Sequence, residues 1–459
     1  MKKNSFFFLF FSIIMCESLN DKIFINSQSY YRIHYFYRQI QNKNLDFSVV
    51  TPNLYKKNAF FLNRFYNSYY HLSNFNSVWR LDYEFYNYKN KLRKNINGLL
   101  CIELIPNVII QNNFEFDSNG SLDKNFRGRQ VDSVDDWTGY LQHSTITLFN
   151  SWGHLLFGKT NLSFTNSNTN LLLNSYSPPS PTLWMKFENN LIEYDFAMIF
   201  LNEINELKRL LHFKRYSYRK MQFQIGFTEM VLFTYDQIGY KELNYLMPSA
   251  VLLESEVNGG NNANLFWFID FNYKKKSFLY KAEILIDDIS LDGLSPNKIA
   301  FKISLYNNFK ENFLFGCEYY RINRWVGNYY DLSKRMVDNN VLLGNQIGPD
   351  AHLFSLLFKY HNDDDYIFIN KLTWQEKGGG NINEWPENIN DSSNFGYSNE
   401  PFPSKPIENT LKYEFSYEKF FRIKKHKIIL FNEYTFKQDK KPKFVIGFKY
   451  FYDKHMDIK

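Results

Sequence analysis

The chain has 459 residues, of which 44% are hydrophobic and 19% aromatic, and its formal net charge is +7. No run of about 18 apolar residues follows the N-terminal region, so the sequence excludes helical membrane spans. A membrane is still compatible with it, because a barrel strand crosses with about 10 alternating residues and leaves a weak hydropathy signal. The positive charges are spread along the chain, whereas nucleic-acid binding needs a concentrated basic patch, so nucleic acid is not an expected partner.

The N-terminus has the order of a secretory signal peptide. A basic pair at 2–3 precedes an apolar core at 5–15, and the small residues Cys16 and Ser18 are spaced for cleavage. Residues 1–18 are therefore predicted to be a signal peptide. Lipidation of Cys16 is the alternative, although the bulky residues before it lack the small side chain expected there. Two cysteines remain without Cys16, and two do not make a disulfide framework.

Residues 19–77 differ from the rest of the chain. Alternation of apolar and polar residues is weak there, asparagine and tyrosine are frequent, and apolar positions between 54 and 72 have helical spacing. We predict a short periplasmic, plug-like segment that is partly helical.

A two-residue pattern then recurs from residue 78 to 452. In 192–200, 278–286 and 444–452, for example, apolar residues alternate with more polar ones, as in strands with one apolar and one polar face. Roughly seventeen segments of this kind are found, with lengths close to those of membrane-barrel strands. Asparagine- and serine-containing turns at 149–152 and 188–191 predict tight hairpins. The predicted long connections are 111–139, 242–264, 322–352 and 375–408.

This pattern predicts an all-β fold, a large antiparallel transmembrane β-barrel of about 16–18 strands over 78–452, followed by a C-terminal tail at 453–459. A soluble all-β protein such as a propeller is the alternative. Propellers usually repeat every ~40–50 residues, and the sequence shows no such repeat. Charged residues on the polar strand faces, such as Lys281 and Glu283, suit a wet lumen.

Several short motifs between 78 and 360 carry a further signal through their order. They are RGR at 127–129, DDWTGY at 135–140, WGHLLFGK at 152–159, IGFTE at 225–229, EYYR at 318–321 and GPD at 348–350. In this order they resemble the capsule assembly Wzi family of Gram-negative outer-membrane proteins. The resemblance implies a bacterial outer-membrane barrel with a helical periplasmic element and a non-enzymatic, lectin-like role in organising capsular polysaccharide. The implied partners are capsular or surface polysaccharide and outer-membrane lipids, with the capsule export machinery as a further potential partner.

Carbohydrate binding needs aromatic faces for sugar rings and charged or amide groups for hydroxyls and uronates. Two segments, before residue 140 and after residue 318, offer these groups together. The glycan-binding candidates are Arg127, Arg129, Asp135, Asp136, Trp137, Arg321, Arg324, Trp325 and Asp350, with Tyr329 beside them. The alternative is that Trp137, Trp152 and Tyr140 belong to an aromatic belt at the membrane edge, and that the charged residues make loop-packing ion pairs.

No cofactor, metal site or catalytic centre is predicted. Asp287, Asp288 and Asp292 leave calcium as an alternative, but their spacing is not that of an EF-hand loop. His143 and Ser144 are adjacent in a strand and so point to opposite faces, which is wrong for a nucleophile and its base. A porin-like channel for small anionic or sugar solutes is the alternative function, and an outer-membrane hydrolase is a minor one.

Overall fold

The structure is a computed structural model. It describes residues 76–454 except 89–90, 106, 119–136, 151, 163–170, 174–176, 178, 190, 237–246, 248–262, 290–296, 309–311, 340, 346, 363–365, 383–401, 422–425 and 438–441. The predicted signal peptide and the predicted partly helical segment lie outside the described residues. Within the described part, no helix has the length and apolar character needed to span a bilayer.

The described chain is built almost entirely from β-strands, with one short 3-10 helix at Leu332–Lys334. The strands are β1 (Asn76–Tyr88), β2 (Lys91–Ile105), β3 (Val108–Asp117), β4 (Thr138–Asn150), β5 (Gly153–Thr160), β6 (Ser180–Glu188), β7 (Ile192–Ile204), β8 (Leu207–Lys220), β9 (Phe223–Tyr235), β10 (Ala263–Lys275), β11 (Phe278–Asp288), β12 (Lys298–Asn308), β13 (Phe313–Ile322), β14 (Val337–Asp338), β15 (Val341–Leu342), β16 (Ala351–Asn362), β17 (Tyr366–Lys377), β18 (Glu408–Phe421), β19 (His426–Lys437) and β20 (Lys443–Lys454).

All strands except β14 and β15 form one 18-stranded antiparallel sheet. Each strand pairs with its neighbours in the chain, and β13 pairs with β16 across the connection that contains the small β14–β15 hairpin. The last strand pairs with the first, so that Trp79 lies opposite Lys454 and Phe85 opposite Phe448. The sheet therefore closes as a barrel, which removes the free edges of an open sheet. The predicted all-β barrel is confirmed.

The sequence pattern missed one strand because two strands share a continuous apolar run. The apolar run around residue 105 shows no break between strands, but Ile105 pairs with Val108, so one strand ends and the next begins there. Asn107 has a φ of 75°, a left-handed conformation that asparagine tolerates in tight turns. Residues 111–117, predicted as the start of a long loop, therefore belong to β3.

With β3 in place, all the long connections lie at one end of the barrel. They are 118–137, 161–179, 236–262, 289–297, 323–350 and 378–407. The other end carries only short turns, including the two predicted hairpins. Outer-membrane barrels place long loops outside the cell and short turns in the periplasm, which assigns the long-loop end to the cell surface.

The wall has an apolar outer face, whereas its inner face carries the buried charged side chains together with an apolar cluster towards the long-loop end. On β8, Tyr216 and Tyr218 are exposed, whereas the alternate residues Arg215 and Ser217 are buried. At the short-turn end, the exposed Trp152 ring stacks on Phe187 with 4.8 Å between centroids, as in the aromatic belts at membrane interfaces. Apolar side chains outside and charged ones inside are the arrangement of a barrel whose outer solvent is lipid.

Candidate functional site

The connection between β13 and β16, residues 323–350, is a folded unit at the long-loop end, and we call it the lid. It contains the 3-10 helix and the β14–β15 hairpin, in which Val337 pairs with Leu342. The amide of Leu343 donates to the carbonyl of Met336 at 3.1 Å, and that of Met336 donates to Gly327 at 2.9 Å. These internal hydrogen bonds give the lid a defined shape.

The underside of the lid packs on the inner face of the barrel wall. Val326, Met336 and Leu343 are buried in one apolar cluster with inward-facing residues of the wall. The wall residues in that cluster include Leu211, Phe213, Met230, Phe266, Phe268, Leu285 and Leu353. Burial of a large apolar side chain stabilises by roughly 1.5–3 kcal/mol, so these three contacts hold the lid firmly in the mouth of the lumen.

Arg209 on β8 is the main polar attachment of the lid. Its Nε donates to the carbonyl of Ser333 at 2.5 Å, and its Nη2 donates to the carbonyls of Arg335 and Val337 at 2.8 and 2.9 Å. The guanidinium is buried and also donates to Asn202 Oδ1 at 3.1 Å. One cation thereby donates to three carbonyls of the lid, of which that of Arg335 also accepts from the amide of Val337.

Two carboxylates attach the lid at other points around the rim. Asp338 accepts a hydrogen bond from Ser180 Oγ at 2.8 Å and one from the amide of Asn202 at 2.7 Å. Asp287 at the end of β11 accepts one from the amide of Gly327 at 2.8 Å. The lid is thus bound to β6, β7, β8 and β11.

Asp350, a glycan-binding candidate, is 1% exposed and joins the lid to the next long connection. Its carboxylate accepts hydrogen bonds from the amides of Gly380 and Ser404 at 2.8 and 3.0 Å, and from the Ser404 hydroxyl. A Cβ at Gly378 would collide with this carboxylate, and one at Gly380 would lie 2.6 Å from the Asp350 Cβ. The glycine run of the sequence therefore allows a close approach to Asp350, which anchors loops.

The upper surface of the lid carries a pair of tyrosines, which we call the tyrosine platform. The rings of Tyr329 and Tyr330 lie 4.6 Å apart, and Tyr330 is 59% exposed. The ammonium groups of Lys298 and Lys334 each lie 5.5 Å from the centre of the Tyr329 ring. Both lysines are buried and paired with carboxylates, Lys298 with Asp288 and Lys334 with Asp331, so they hold the tyrosines in place. The exposed ring of Tyr330 offers the stacking face to a sugar.

Local hydrogen bonds fix the platform. Asp331 caps the 3-10 helix by accepting from the amide and hydroxyl of Ser333 at 2.9 and 2.7 Å, and Arg335 Nε donates to the Tyr329 carbonyl at 2.8 Å. Partial burial raises the pKa of Asp331. The hydrogen bonds from Ser333 and the charge of Lys334 together lower it by more, so the pKa lies below its usual value. Asp331 therefore stays ionised and keeps the cap closed at neutral pH.

The predicted site residues fall into three groups. Arg127, Arg129, Asp135 and Asp136 lie outside the described residues, and Trp137 is half-buried at the long-loop end of β4. Trp325 is 6% exposed, and the guanidinium of Arg324 lies 4.8 Å from the centre of its ring. Arg321 points away from the lumen, on the outer face of β13. The lid thus brings Arg324, Trp325 and Asp350 together but separates them from Arg321.

The sequence reasoning missed Tyr330, Lys298 and Lys334, and it missed Arg209 as an attachment of the lid. A local signal existed for Tyr330 and Lys334. Asp331 followed by Ser333 is the pattern of a short helix cap, and it comes directly after two tyrosines. No local signal existed for Arg209, which is 124 residues away from the Ser333 carbonyl that it binds.

The lumen wall below the lid carries paired charges. Arg215 is buried on β8 with Asp270 at 3.1 Å, Glu193 at 3.7 Å and Asp195 at 3.8 Å. On the opposite side of the barrel, Lys412 lies 3.0 and 3.1 Å from Glu414 and Glu433. These inward cations are balanced by carboxylates and do not form a basic track.

Asp287, one of the residues that suggested calcium, is instead the acceptor for Gly327. In the part of the chain that the structure describes, no group of three or more His, Cys, Asp or Glu side chains is arranged to hold a metal ion.

The fold is similar to that of a solved outer-membrane barrel. No family model matches the chain. No curated protein matches it either. The solved structure of Wzi from Escherichia coli, an outer-membrane protein involved in group 1 capsule assembly and a carbohydrate-binding β-barrel, is similar with a TM-score of 0.64 and 10% identity. The match covers 95% of this chain and 99% of Wzi. This chain is a bacterial outer-membrane β-barrel. OprD from Pseudomonas aeruginosa is similar with a TM-score of 0.48 and 8% identity, over 84% of this chain and 96% of OprD.

Proposed function

We propose that this outer-membrane barrel binds capsular or other surface polysaccharide on its lid, as a non-catalytic, lectin-like member of the Wzi family. The observation that carries the proposal is the tyrosine platform, an aromatic pair with one exposed ring, Tyr330, on a loop that is fixed to the barrel. Sugar rings stack on aromatic faces, and a surface that is already ordered loses little entropy on binding.

The solved structure of Wzi supports the proposal, because a barrel of similar fold binds carbohydrate and takes part in capsule assembly. The order of the sequence motifs supports the same family. In this proposal Tyr330 contacts the glycan, and the buried cations Lys298 and Lys334 hold the adjacent Tyr329 ring in place. The capsule export machinery is a further proposed partner. The segment 127–137 is proposed as a second contact surface at the same end of the barrel.

A porin-like channel is the second candidate function, and one observation favours it. Lys412 and Glu433 on the inner wall have side chains that are each 32% exposed, so water reaches this side of the lumen. Against a channel for anions, the inward cations Arg215 and Lys412 are paired with carboxylates. Planar-bilayer recording separates the two functions, because a channel for sugar-sized solutes conducts and a glycan-binding barrel closed by its lid does not.

The direct test is deletion of the gene, followed by staining for cell-bound and shed polysaccharide. We expect less glycan on the cell and more in the medium. Unchanged cell-bound glycan, with none shed, would exclude the proposed function.

Binding is tested with purified protein titrated with the surface polysaccharide of the producing cells. We expect Tyr330→Ala to bind about tenfold more weakly, the loss that corresponds to about 1.4 kcal/mol. Tyr434→Ala is the matched control, since this tyrosine is also exposed but lies on the outer wall. The variants Arg129→Ala and Trp137→Ala test the second surface, and wild-type binding by both would remove it from the proposal.

A further inference from the structure

Four strands align a row of polar side chains on the outer face of the barrel, near the long-loop end. Cross-strand register places Arg321 opposite His352, His352 opposite Glu376, and Glu376 opposite Asn409. We call these four residues the polar row. Tyr320, Ile322 and Leu353 belong to the apolar cluster of the lumen, so their chain neighbours Arg321 and His352 point outward.

An apolar row lies directly below the polar one. Tyr319, Phe354, Trp374 and Leu411 are paired in the same order across the same strands, one outward position nearer the short-turn end. Phe354, Trp374 and Leu411 are 37–43% exposed on the face that meets lipid. A polar row above an exposed apolar row marks the level of a lipid headgroup with its acyl chains.

Arg321 is held ready for an anion. Its guanidinium carbon lies 4.0 Å from the centre of the Phe402 ring, which fixes the plane of the group. Glu376 is already paired with His352, whose Nε2 lies 2.7 Å from its Oε2. Among the described residues, no carboxylate forms an ion pair with Arg321. A stacked guanidinium without a carboxylate partner has its donors available for a phosphate, which it binds in bidentate fashion.

We propose that the polar row binds the headgroup of a phosphorylated glycolipid in the outer leaflet. Arg321 holds the phosphate, His352, Glu376 and Asn409 bond the sugar hydroxyls, and the apolar row contacts the acyl chains. A soluble polysaccharide does not fit this face, because it has no apolar chains for the lower row. The site lies on the lipid side of the wall and is independent of the glycan surface on the lid.

The test uses the full-length barrel in phosphatidylcholine nanodiscs, with bound lipid counted by native mass spectrometry. The probes are lipid A, which is a phosphorylated and acylated disaccharide, its dephosphorylated form, and inorganic phosphate. We expect wild type to prefer lipid A, and Arg321→Gln to bind lipid A about tenfold more weakly, the factor of a lost charge-assisted contact. Lys208→Gln is the matched control, because Lys208 is an exposed outward cation at the long-loop end of β8 without such a row.

Equal binding of lipid A by wild type and R321Q overturns the proposal. Equal binding of the dephosphorylated lipid removes the phosphate from it, and saturation by inorganic phosphate alone shows an anion site without lipid specificity, which also overturns it. Should R321Q lack the heat-dependent gel shift of a folded barrel, Phe402→Ala takes its place. That variant leaves Arg321 but removes its ring, and we expect about threefold weaker binding. Unchanged affinity in F402A then overturns the proposal.

Discussion

Arg209→Met tests how much the main polar attachment of the lid contributes to the closed position of the lid. Methionine fills much of the space of the arginine stem but cannot donate a hydrogen bond. The carbonyls of Ser333 and Val337 lose this donor, whereas that of Arg335 still accepts from the amide of Val337 at 2.8 Å. The apolar contacts under the lid and the hydrogen bonds of Asp287 and Asp338 remain, so the variant removes the Arg209 attachment alone.

The magnitude follows from the number of carbonyls that lose a donor. Each buried group left without a hydrogen bond costs about 1–3 kcal/mol, and the two losses are not independent because one side chain supplies both. We expect the closed lid to lose about 2–4 kcal/mol relative to an open one. Since about 1.4 kcal/mol is a factor of ten, the open population rises by about 30-fold to 1,000-fold.

Limited proteolysis in detergent micelles measures this change, with cleavage sites in the lid identified by mass spectrometry. We expect faster cleavage within 323–350 in Arg209→Met, an increase in bilayer conductance, and an unchanged heat-dependent gel shift of the barrel. Arg219→Met is the matched control, since Arg219 lies on the same strand and face but at the short-turn end, 3.3 Å from Glu193. Cleavage and conductance at wild-type rates in Arg209→Met would refute the role of this arginine.

Three further substitutions test separate parts of the structure. Tyr330→Ala should leave the unfolding midpoint in urea unchanged while glycan affinity falls, because the ring is exposed; a shifted midpoint would show a structural role instead. Asp350→Ala should increase amide hydrogen exchange at Gly380 and Ser404 by about tenfold or more, since both amides lose their acceptor, and unchanged exchange would contradict the anchoring role. Asp270→Asn should destabilise the barrel by about 3–5 kcal/mol in urea unfolding, because Arg215 stays buried without its nearest carboxylate, and a loss under about 1 kcal/mol would show that Glu193 and Asp195 suffice.

The barrel was predictable because its strands and turns depend on short-range sequence patterns. Alternation of apolar and polar residues predicts a strand, and residues such as Asn189 and Asn190 predict a tight turn. The β2–β3 hairpin was missed because Pro106 and Asn107 lie inside an apolar run, so the sequence pattern shows no boundary between the two strands. The lipid-facing assignment followed once closure showed which alternate residues meet in the lumen.

The candidate site was only partly predictable. Which residues belong to it depends on the barrel face that each side chain points to and on contacts between residues far apart in the chain. Arg321 and Tyr320 are neighbours in one motif, yet the first faces lipid and the second is buried in the lumen. Alternation shows that they point to opposite sides but not which side is the lumen. Trp325 likewise has the composition of a sugar-binding residue, and its burial depends on how the whole lid folds. The exposed ring of Tyr330 was therefore not chosen, whereas a tryptophan that is buried was.

The position of the lid also sets a limit on what the barrel can conduct. Its side-chain attachments lie on β6, β7, β8, β10, β11, β12 and β17, and Asp350 links it to 378–382 and Ser404. Water reaches the inner wall near Lys412 and Glu433, on β18 and β19. A path confined to that side, lined by paired charges, would pass small ions before it passes sugars. Conductance should therefore be measured with ions of increasing size, because permeation by small ions alone is compatible with a glycan-binding lid, whereas permeation by sugar-sized solutes is not.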